Sequence, residues 1–154
     1  MNYTAAVLSV ADVKVSRKFY EELFGLEVFQ DYGLNVSFTC GLSLQQRFHW
    51  LVGLPEEQVL REPNNMELAF EEEDFDGFLE KLGAYPGIRR LGGVVEHSWG
   101  QRVVRFYDPD GHLIEVGEDM GAVTRRFLDA GLTLEETSRR MDVSVPDLKK
   151  LLER

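Results

Sequence analysis

The predicted order of strands and helices repeats once along residues 1–118. In the first half a strand precedes a helix and three further strands, at residues 4–10 and then 26–32, 35–40 and 42–46. The second half repeats this order, with strands at residues 65–70 and then 94–97, 102–107 and 113–117. A single unit would leave one face of its sheet bare. We therefore predict an α+β fold in which two paired βαβββ modules form a curved sheet around a cleft, with helices on the outer faces.

In each half of residues 1–118, the predicted helix has an aspartate at its start and a glycine at its end. Asp12 and Asp74 precede the apolar periodic segments, where a short acidic side chain can accept hydrogen bonds from free backbone N–H groups. Gly25 and Gly83 follow those segments, and glycine commonly ends a helix. These signals support the repeated order at the level of local structure.

Composition limits the class of protein. Hydrophobic residues make up 44% of the chain, which is enough to form a core. No apolar run approaches the ~20 residues that cross a membrane, and the first residues do not resemble a secretory signal. Cys40 is the only cysteine, so no disulfide can form within the chain, and we expect it to be buried and unreactive. We predict a cytoplasmic protein.

Charge is distributed unevenly along the chain. The formal net charge is −10, which opposes non-specific binding to nucleic acid or anionic lipid. Residues 119–154 contain seven acidic and seven basic residues, so residues 1–118 carry the whole excess. We therefore predict two parts, a domain at residues 1–118 and a three-helix extension at residues 119–154.

The extension is similar to a helix-turn-helix. A first helix is predicted at residues 122–130. Two further helices begin at Thr133 and Ser144, and a short turn at residues 142–144 connects them. In a DNA-binding protein the helix from Pro146 would read the major groove. Its bases Lys149, Lys150 and Arg154 are offset by Asp147 and Glu153. We therefore favour a structural or oligomerising appendage over nucleic-acid binding, and predict that the helices pack only on each other or on a partner.

Motifs near both ends of residues 4–118 carry a family resemblance. The first group comprises Val10-Ala11-Asp12, Ser16, Phe19-Tyr20 and Leu23-Phe24-Gly25-Leu26-Glu27-Val28. The second group comprises Trp99-Gly100-Gln101-Arg102 and Phe106-Tyr107-Asp108-Pro109-Asp110-Gly111-His112-Leu113-Ile114-Glu115. In this order they resemble the opening and closing strands of the vicinal oxygen chelate superfamily, which includes glyoxalases, bleomycin-resistance proteins and extradiol dioxygenases. The resemblance implies paired βαβββ modules and, in many members, a divalent metal in the cleft.

The resemblance also assigns candidate metal ligands. Its four ligand positions fall on Ala5, Gln45, Glu67 and Glu115. Strand alternation independently places all four opposite the core. Ala5 has no donor atom, so the set is incomplete. Gln45, Glu67 and Glu115 could hold Mg²⁺, Mn²⁺, Ni²⁺, Zn²⁺ or Fe²⁺, or no metal at all, and Glu67 or Glu115 could act as a general base. The alternative is that each glutamate lies at a solvated strand end or pairs with Arg102 or Arg105.

Aromatic residues and histidines supply the remaining candidates. Phe38, Trp50 and Trp99 are candidates for an apolar substrate pocket, although aromatic residues more often form core or dimer contacts. His49, His97 and His112 are expected at loops, strand ends or the surface rather than as ligands. His112 follows a tight turn and is expected to point along it.

Three functional hypotheses follow from the resemblance and these residues. The first is a glyoxalase-type lyase or isomerase in which Glu67 and Glu115 hold a metal that polarises a carbonyl oxygen. The second is a metal-free protein that binds a drug or metabolite. The third is a ligand-sensing regulator that acts through the helical extension. Under each hypothesis the partner is a small molecule, and the resemblance implies a homodimer.

Overall fold

A computed structural model describes residues 1–153, which form two compact units, each containing one sheet. The first unit comprises residues 1–66 and 107–113, and the second comprises residues 67–106 and the chain from Ile114 onward. Neither unit contains a helix long and apolar enough to span a bilayer, as far as residues 1–153 show.

The first unit has the predicted order of elements. Its strands are β1 (Ala6–Val10), β2 (Val28–Asp31), β3 (Asn35–Phe38) and β4 (Leu42–Gln46), and its helices are α1 (Val13–Phe24) and α2 (Phe48–Val52). The sheet order is β1-β4-β3-β2, with β1 parallel to β4. Tyr20 and Leu23 of α1 are buried with Leu8, Val36 and Leu44, so α1 covers one face of this sheet.

The second unit repeats this topology. Its strands are β5 (Leu68–Glu72), β6 (Arg89–Arg90), β7 (Val95–Glu96), β8 (Arg102–Tyr107) and β9 (Leu113–Glu118), and its helices are α3 (Phe75–Ala84), α4 (Met120–Asp129), α5 (Leu134–Met141) and α6 (Val145–Leu152). The sheet order is β5-β9-β8-β6, with β5 parallel to β9 as β1 is to β4. The α+β class and the repeated module are confirmed.

The predicted helix signals at α1 and α3 have the expected geometry at three of four positions. Asp12 accepts hydrogen bonds from the backbone N–H groups of Lys14 and Val15, and Asp74 accepts one from Gly77. Gly25 ends α1 with a φ of 66°, which favours a residue without a side chain. Gly83 lies inside α3, whose last residue is Ala84, so the predicted end was one residue early.

Three expectations about local structure were wrong. Proline and charged residues at positions 47–63 predict an irregular crossing loop with a helical turn at residues 55–60. The turn is present as a 3-10 turn at Glu56–Gln58, but the segment also contains the short helix α2, which was not expected. The strand predicted at residues 94–97 is only the two-residue β7. Cys40 is exposed rather than buried, because it lies in the tight turn closed by the N–H of Gly41 donating to the carbonyl of Phe38.

The three extension helices share a small core and also contact the second sheet. Val123, Met141 and Leu148 are buried together, one from each helix. The expectation that these helices pack only on each other or on a partner was wrong. Arg126 of α4 donates to the carbonyl of Gly100 and to the carboxylate of Glu118 on β9. The helices therefore belong to the same compact unit as β5–β9.

Gly100 provides a test of this contact. Its φ is +89°, and a Cβ atom there would overlap the ring of Phe127 on α4. We expect Gly100→Ala to lower the free energy of unfolding by about 2 kcal/mol, from backbone strain together with the overlap. The matched control is Gly87→Ala, because Gly87 has a φ of +77° and open space around the added atom. Equal losses in chemical denaturation would show that the contact with Phe127 contributes nothing.

Candidate functional site

Glu67 and Glu115 converge on one guanidinium group in the second unit. Glu67 immediately precedes β5, Glu115 lies on β9 and Arg105 on β8, and β9 is the strand between the other two. Nε of Arg105 is 3.7 Å from Oε2 of Glu67, and a terminal nitrogen of Arg105 contacts Oε2 of Glu115. Ile114 and Val116, the neighbours of Glu115, are fully buried on the opposite face. Strand alternation therefore placed Glu115 on the correct face.

The triad of Glu67, Arg105 and Glu115 is partly shielded from solvent. The side chains of Glu115 and Arg105 are 17% and 28% exposed, whereas that of Glu67 is 39% exposed. Oε2 of Glu115 is buried and has no hydrogen-bond donor within residues 1–153, which leaves the Arg105 ion pair as its polar contact. Because an unpaired buried carboxylate is costly, the ion pair with Arg105 is what makes the partial burial of Glu115 acceptable.

Gln45 lies in the first unit, and its side-chain amide is bonded at both ends. Its Oε1 accepts from Nδ2 of Asn35 at 3.1 Å, and its Nε2 donates to the backbone carbonyl of Gln46 at 2.7 Å. Gln45 is only 5% exposed. The residue is on the predicted face of β4, but its oxygen already accepts a hydrogen bond.

The three aromatic pocket candidates have different environments. Phe38 is buried in the core beneath α1, with its ring 6.0 Å from that of Tyr20, so its prediction as a pocket residue was wrong and its role is packing. Trp50 lies on α2 and is 65% exposed. Trp99, in the second unit, stacks on His97 at 4.2 Å and donates its indole N–H to Gln101. Trp50 and Trp99 thus remain available to a ligand.

A pocket in the first unit was missed by the sequence analysis. It has a volume of about 370 Å³ and lies at the ends of β1 and β4, beside α2 and the turn at residues 108–112, which belongs to the same unit. Its polar lining includes Arg47, His49, Glu56, Arg61, Asp110 and His112. None of the candidate site residues at 45, 67 or 115 lines it.

His112 is held in this lining by a buried carboxylate. Its Nδ1 is 2.8 Å from Oδ2 of Asp108, which also accepts the Tyr20 hydroxyl at 2.7 Å. The other carboxylate oxygen accepts the backbone N–H groups of Asp110 and His112. His112 was expected to point along its turn, and its ring does bind Asp108 at the start of that turn. Its place in the pocket lining was missed, and the only available signal was the four-residue spacing between Asp108 and His112.

Hydrogen bonding keeps Asp108 ionised although it is buried. Burial alone would raise the pKa of Asp108, but the hydrogen bond and charge of His112 and the hydroxyl of Tyr20 outweigh it, so the pKa lies below its usual range. Burial and the adjacent Asp108 carboxylate raise the pKa of Tyr20 well above its usual value, so its hydroxyl keeps its proton. Asp108 is therefore an acceptor, and Nδ1 of His112 carries the proton that it receives.

Comparison with known proteins identifies the family. Residues 3–121 match the sequence profile of the family described as "Glyoxalase-like domain". The chain belongs to this family. The predicted membership of the vicinal oxygen chelate superfamily is thereby confirmed. The match leaves α5 and α6 of this glyoxalase-like protein outside the family domain.

Solved structures of similar fold cover the same part of the chain. A protein of unknown function from Agrobacterium tumefaciens str. C58 is 32% identical with a TM-score of 0.66, over 78% of this chain and 95% of that one. A glyoxalase-related enzyme from Fulvimarina pelagi is 23% identical with a TM-score of 0.64, over 77% and 88%. Lactoylglutathione lyase from Agrobacterium tumefaciens is 24% identical with a TM-score of 0.53, over 76% and 92%. At these identities the last two show the fold alone.

The residues at the family's ligand positions do not fit a divalent metal in this arrangement. Arg105 forms ion pairs with both Glu67 and Glu115, the Gln45 oxygen already accepts a hydrogen bond, and Ala5 has no donor. No group of three or more His, Cys, Asp or Glu side chains is arranged for a metal within residues 1–153. Divalent ions select sites rich in uncompensated oxygen donors. The glyoxalase-like fold is thus present with a donor set that differs from a typical metal site.

Proposed function

We propose that this glyoxalase-like protein binds a small organic molecule without a resident metal ion. The observation that carries the proposal is the guanidinium of Arg105 against both Glu67 and Glu115. A positive side chain there gives the carboxylates the charge compensation that a cation would otherwise supply. This favours the metal-free alternative among the functions implied by the family.

The triad can recognise a ligand through hydrogen bonds. A guanidinium carries five N–H donors, and two carboxylates hold that of Arg105 in a fixed orientation. Glu67 is the most exposed of the three side chains, so its carboxylate can accept from a ligand hydroxyl or amine. Preorganised polar groups of this kind fix the orientation of a small molecule in a largely apolar site.

Replacing Arg105 by glutamine tests the proposal. We expect wild-type protein, purified without chelator, to contain no stoichiometric metal and to show no thermal shift with Mn²⁺, Ni²⁺, Zn²⁺ or Fe²⁺. In Arg105→Gln the two carboxylates lose their compensating charge, so Mn²⁺ should now raise the melting temperature by several degrees, because a ligand that binds only the folded state stabilises it. Elemental analysis and thermal denaturation with each metal measure both results.

A matched control separates this effect from general surface charge. Arg139→Gln removes an exposed arginine of α5 and should leave the metal response unchanged. Stoichiometric metal in the wild-type protein that is lost in both Glu67→Gln and Glu115→Gln would overturn the proposal. That result would instead support a metal-dependent lyase or isomerase.

The second candidate function is a lyase or isomerase of glyoxalase type. The specific observation in its favour is that Glu67, just before β5, and Glu115, on β9, reach the same guanidinium. One of them could then move a proton on a bound carbonyl compound, provided that the ligand displaces Arg105 from that carboxylate. Proton exchange from the α-carbon of a bound carbonyl compound, followed by NMR and lost in Glu115→Gln, would identify this activity.

The homodimer implied by the family is also a proposal for this chain. Several large apolar side chains of the first unit are exposed, including Phe29, Tyr32 and Leu34. Where exposed apolar side chains form one contiguous patch, that patch is typical of a surface covered by a partner. Light scattering coupled to size-exclusion chromatography should give twice the chain mass of 17.6 kDa, and a monomer at all concentrations would contradict the proposal.

A further inference from the structure

We infer that the pocket of the first unit is a second ligand site, which binds a small molecule carrying a carboxylate or phosphate group together with hydroxyl or ammonium donors. The site is independent of Arg105 and of metal content, because every residue that lines it belongs to the first unit. Its volume of about 370 Å³ lies within the range of pockets that hold small molecules.

Two arginines supply the charge that an acidic ligand group requires. Arg47 and Arg61 both line the pocket, and neither forms an ion pair with another residue in the described part of the chain. The charge-bearing surface of both guanidinium groups is therefore available. Arginine binds carboxylates and phosphates through paired N–H donors, which makes these two side chains a recognition element for such a group.

His112 adds an oriented donor or acceptor to the same pocket. Its Nδ1 is bound to Asp108, and its Nε2 has no hydrogen-bond partner within residues 1–153. The buried Asp108 fixes the plane of the ring, since its carboxylate also binds the backbone N–H of His112. Because the ring is already fixed, its hydrogen bond to a ligand costs little side-chain conformational entropy on binding.

The acidic side chains that line the pocket favour a ligand that carries hydrogen-bond donors as well as an acidic group. Both oxygens of Asp110 are occupied, by the backbone N–H of Ala11 at 2.7 Å and by the hydroxyl of Ser16 at 2.6 Å. Glu56 and Glu62 also line the pocket. A ligand with a hydroxyl or ammonium donor beside its acidic group could donate a hydrogen bond to Glu56, whereas a simple dianion would be repelled by the negative charges of the lining.

Backbone strain supports a binding role for this segment. Arg47 and Glu62 have φ values of 58° and 54°, in the left-handed region that residues with side chains seldom adopt. Both residues line the pocket. Strain of this kind is concentrated at binding sites, where the surrounding structure holds a side chain in a required position.

Three related compounds test the inference on the full chain. Glycerate carries a carboxylate, glycerol 3-phosphate carries a phosphate, and glycerol carries the hydroxyls alone. The chain has three histidines, of which His49 and His112 line the pocket and His97 belongs to the other unit. We expect glycerate or glycerol 3-phosphate to shift the imidazole NMR signals of His49 and His112 and not those of His97. Glycerol should shift none.

Variants of the two arginines provide the decisive comparison. Arg47→Gly suits the left-handed backbone, and Arg61→Gln changes an exposed loop residue, so both variants should fold. Each should weaken binding of the acidic compound at least about tenfold in calorimetric titration, from lost charge-assisted hydrogen bonds. Arg139→Gln should bind as the wild type does. The inference is overturned if neither acid binds, if glycerol binds equally well, or if both pocket variants retain wild-type affinity.

Discussion

Glu118→Gln is expected to lower the free energy of unfolding by about 3 kcal/mol, a substantial part of the 5–15 kcal/mol typical of a domain. Glu118 ends β9 with its side chain only 5% exposed, and its carboxylate binds Arg102 and Arg126 at 3.0–3.2 Å. Glutamine has the same shape, but it removes the charge and presents an NH₂ group to two guanidinium groups.

Stability is lost because Glu118→Gln leaves Arg102 and Arg126 without their shared carboxylate. Arg102 and Arg126 are 27% and 36% exposed, so water can solvate them only in part once the carboxylate is gone. Removing one member of a buried ion pair costs roughly 3–5 kcal/mol, and the partial exposure of the arginines places this case at the lower end. Because Arg126 lies on α4, the loss should loosen the extension together with the sheet.

The pH dependence of this contribution has a definite sign. Burial raises the pKa of Glu118, but the hydrogen bonds from Arg102 and Arg126 outweigh it and hold the pKa below the ordinary 4.5. A carboxyl group whose pKa is lowered by folding stabilises the protein fully above its unfolded pKa, and this stabilisation is lost as the pH falls through the folded pKa. The difference between wild type and Glu118→Gln should therefore be constant near neutral pH and shrink in acid below about pH 4.5.

Urea unfolding followed by tryptophan fluorescence measures the effect locally. Each unit contains one of the two tryptophans, so a Trp50→Phe background leaves Trp99 as the reporter of the second unit. The matched control is Glu73→Gln, which alters an exposed carboxylate 3.9 Å from Arg125 and should change stability by less than about 0.5 kcal/mol. Equal effects of the two substitutions would show that the Glu118 network contributes no more than a surface pair.

The repeated module could be predicted because its signals are local. Apolar alternation in the strands, the aspartates before α1 and α3, and Gly25 at the end of α1 depend on neighbouring residues only. The same alternation placed Glu115 opposite the buried Ile114 and Val116. Short elements such as α2 and β7 carry too few residues for a periodic signal, so they were missed or misjudged.

The chemistry of the site could not be predicted because it depends on contacts between distant residues. The sequence allowed Glu67 and Glu115 to pair with Arg102 or Arg105, but only the strand order shows that Arg105, 38 positions from Glu67, is the partner of both. Asp108 and Tyr20 are separated by 88 positions, and their hydrogen bond explains both the burial of the carboxylate and the fixed ring of His112. Residue type and strand face predicted the candidate carboxylates and two possible arginine partners, but the choice of Arg105 required the structure.

Asp108→Ala should lower the free energy of unfolding by about 4 kcal/mol. The carboxylate accepts the Tyr20 hydroxyl, Nδ1 of His112 and the backbone N–H groups of Asp110 and His112, all at 2.7–2.9 Å. Each buried donor left without an acceptor costs roughly 1–3 kcal/mol. Tyr20→Phe is the matched control, since it removes one of these four hydrogen bonds and should cost about 1 kcal/mol. A loss no larger in Asp108→Ala than in Tyr20→Phe would contradict the role of Asp108 as a shared acceptor.

The pH dependence of the Asp108 contribution has the same sign as that of Glu118. Folding lowers the pKa of Asp108, so its stabilisation is present above the unfolded pKa and is lost as the pH falls through the folded pKa. Thermal denaturation between pH 7 and pH 3 should therefore show wild type losing more stability than Asp108→Ala. Parallel curves for the two proteins would show that the folded and unfolded pKa values of Asp108 are equal.

Asp108→Asn should preserve most of the fold but reverse the tautomer of His112. The backbone N–H groups at one carboxylate oxygen are fixed donors, so the amide oxygen must take that position and the NH₂ group must face Tyr20 and His112. The hydroxyl and the imidazole can both become acceptors, which moves the imidazole proton from Nδ1 to Nε2. Nitrogen-15 NMR of the neutral ring should show the Nδ1–H form in wild type and the Nε2–H form in Asp108→Asn. The same tautomer in both proteins would mean that Asp108 does not orient the ring towards the pocket.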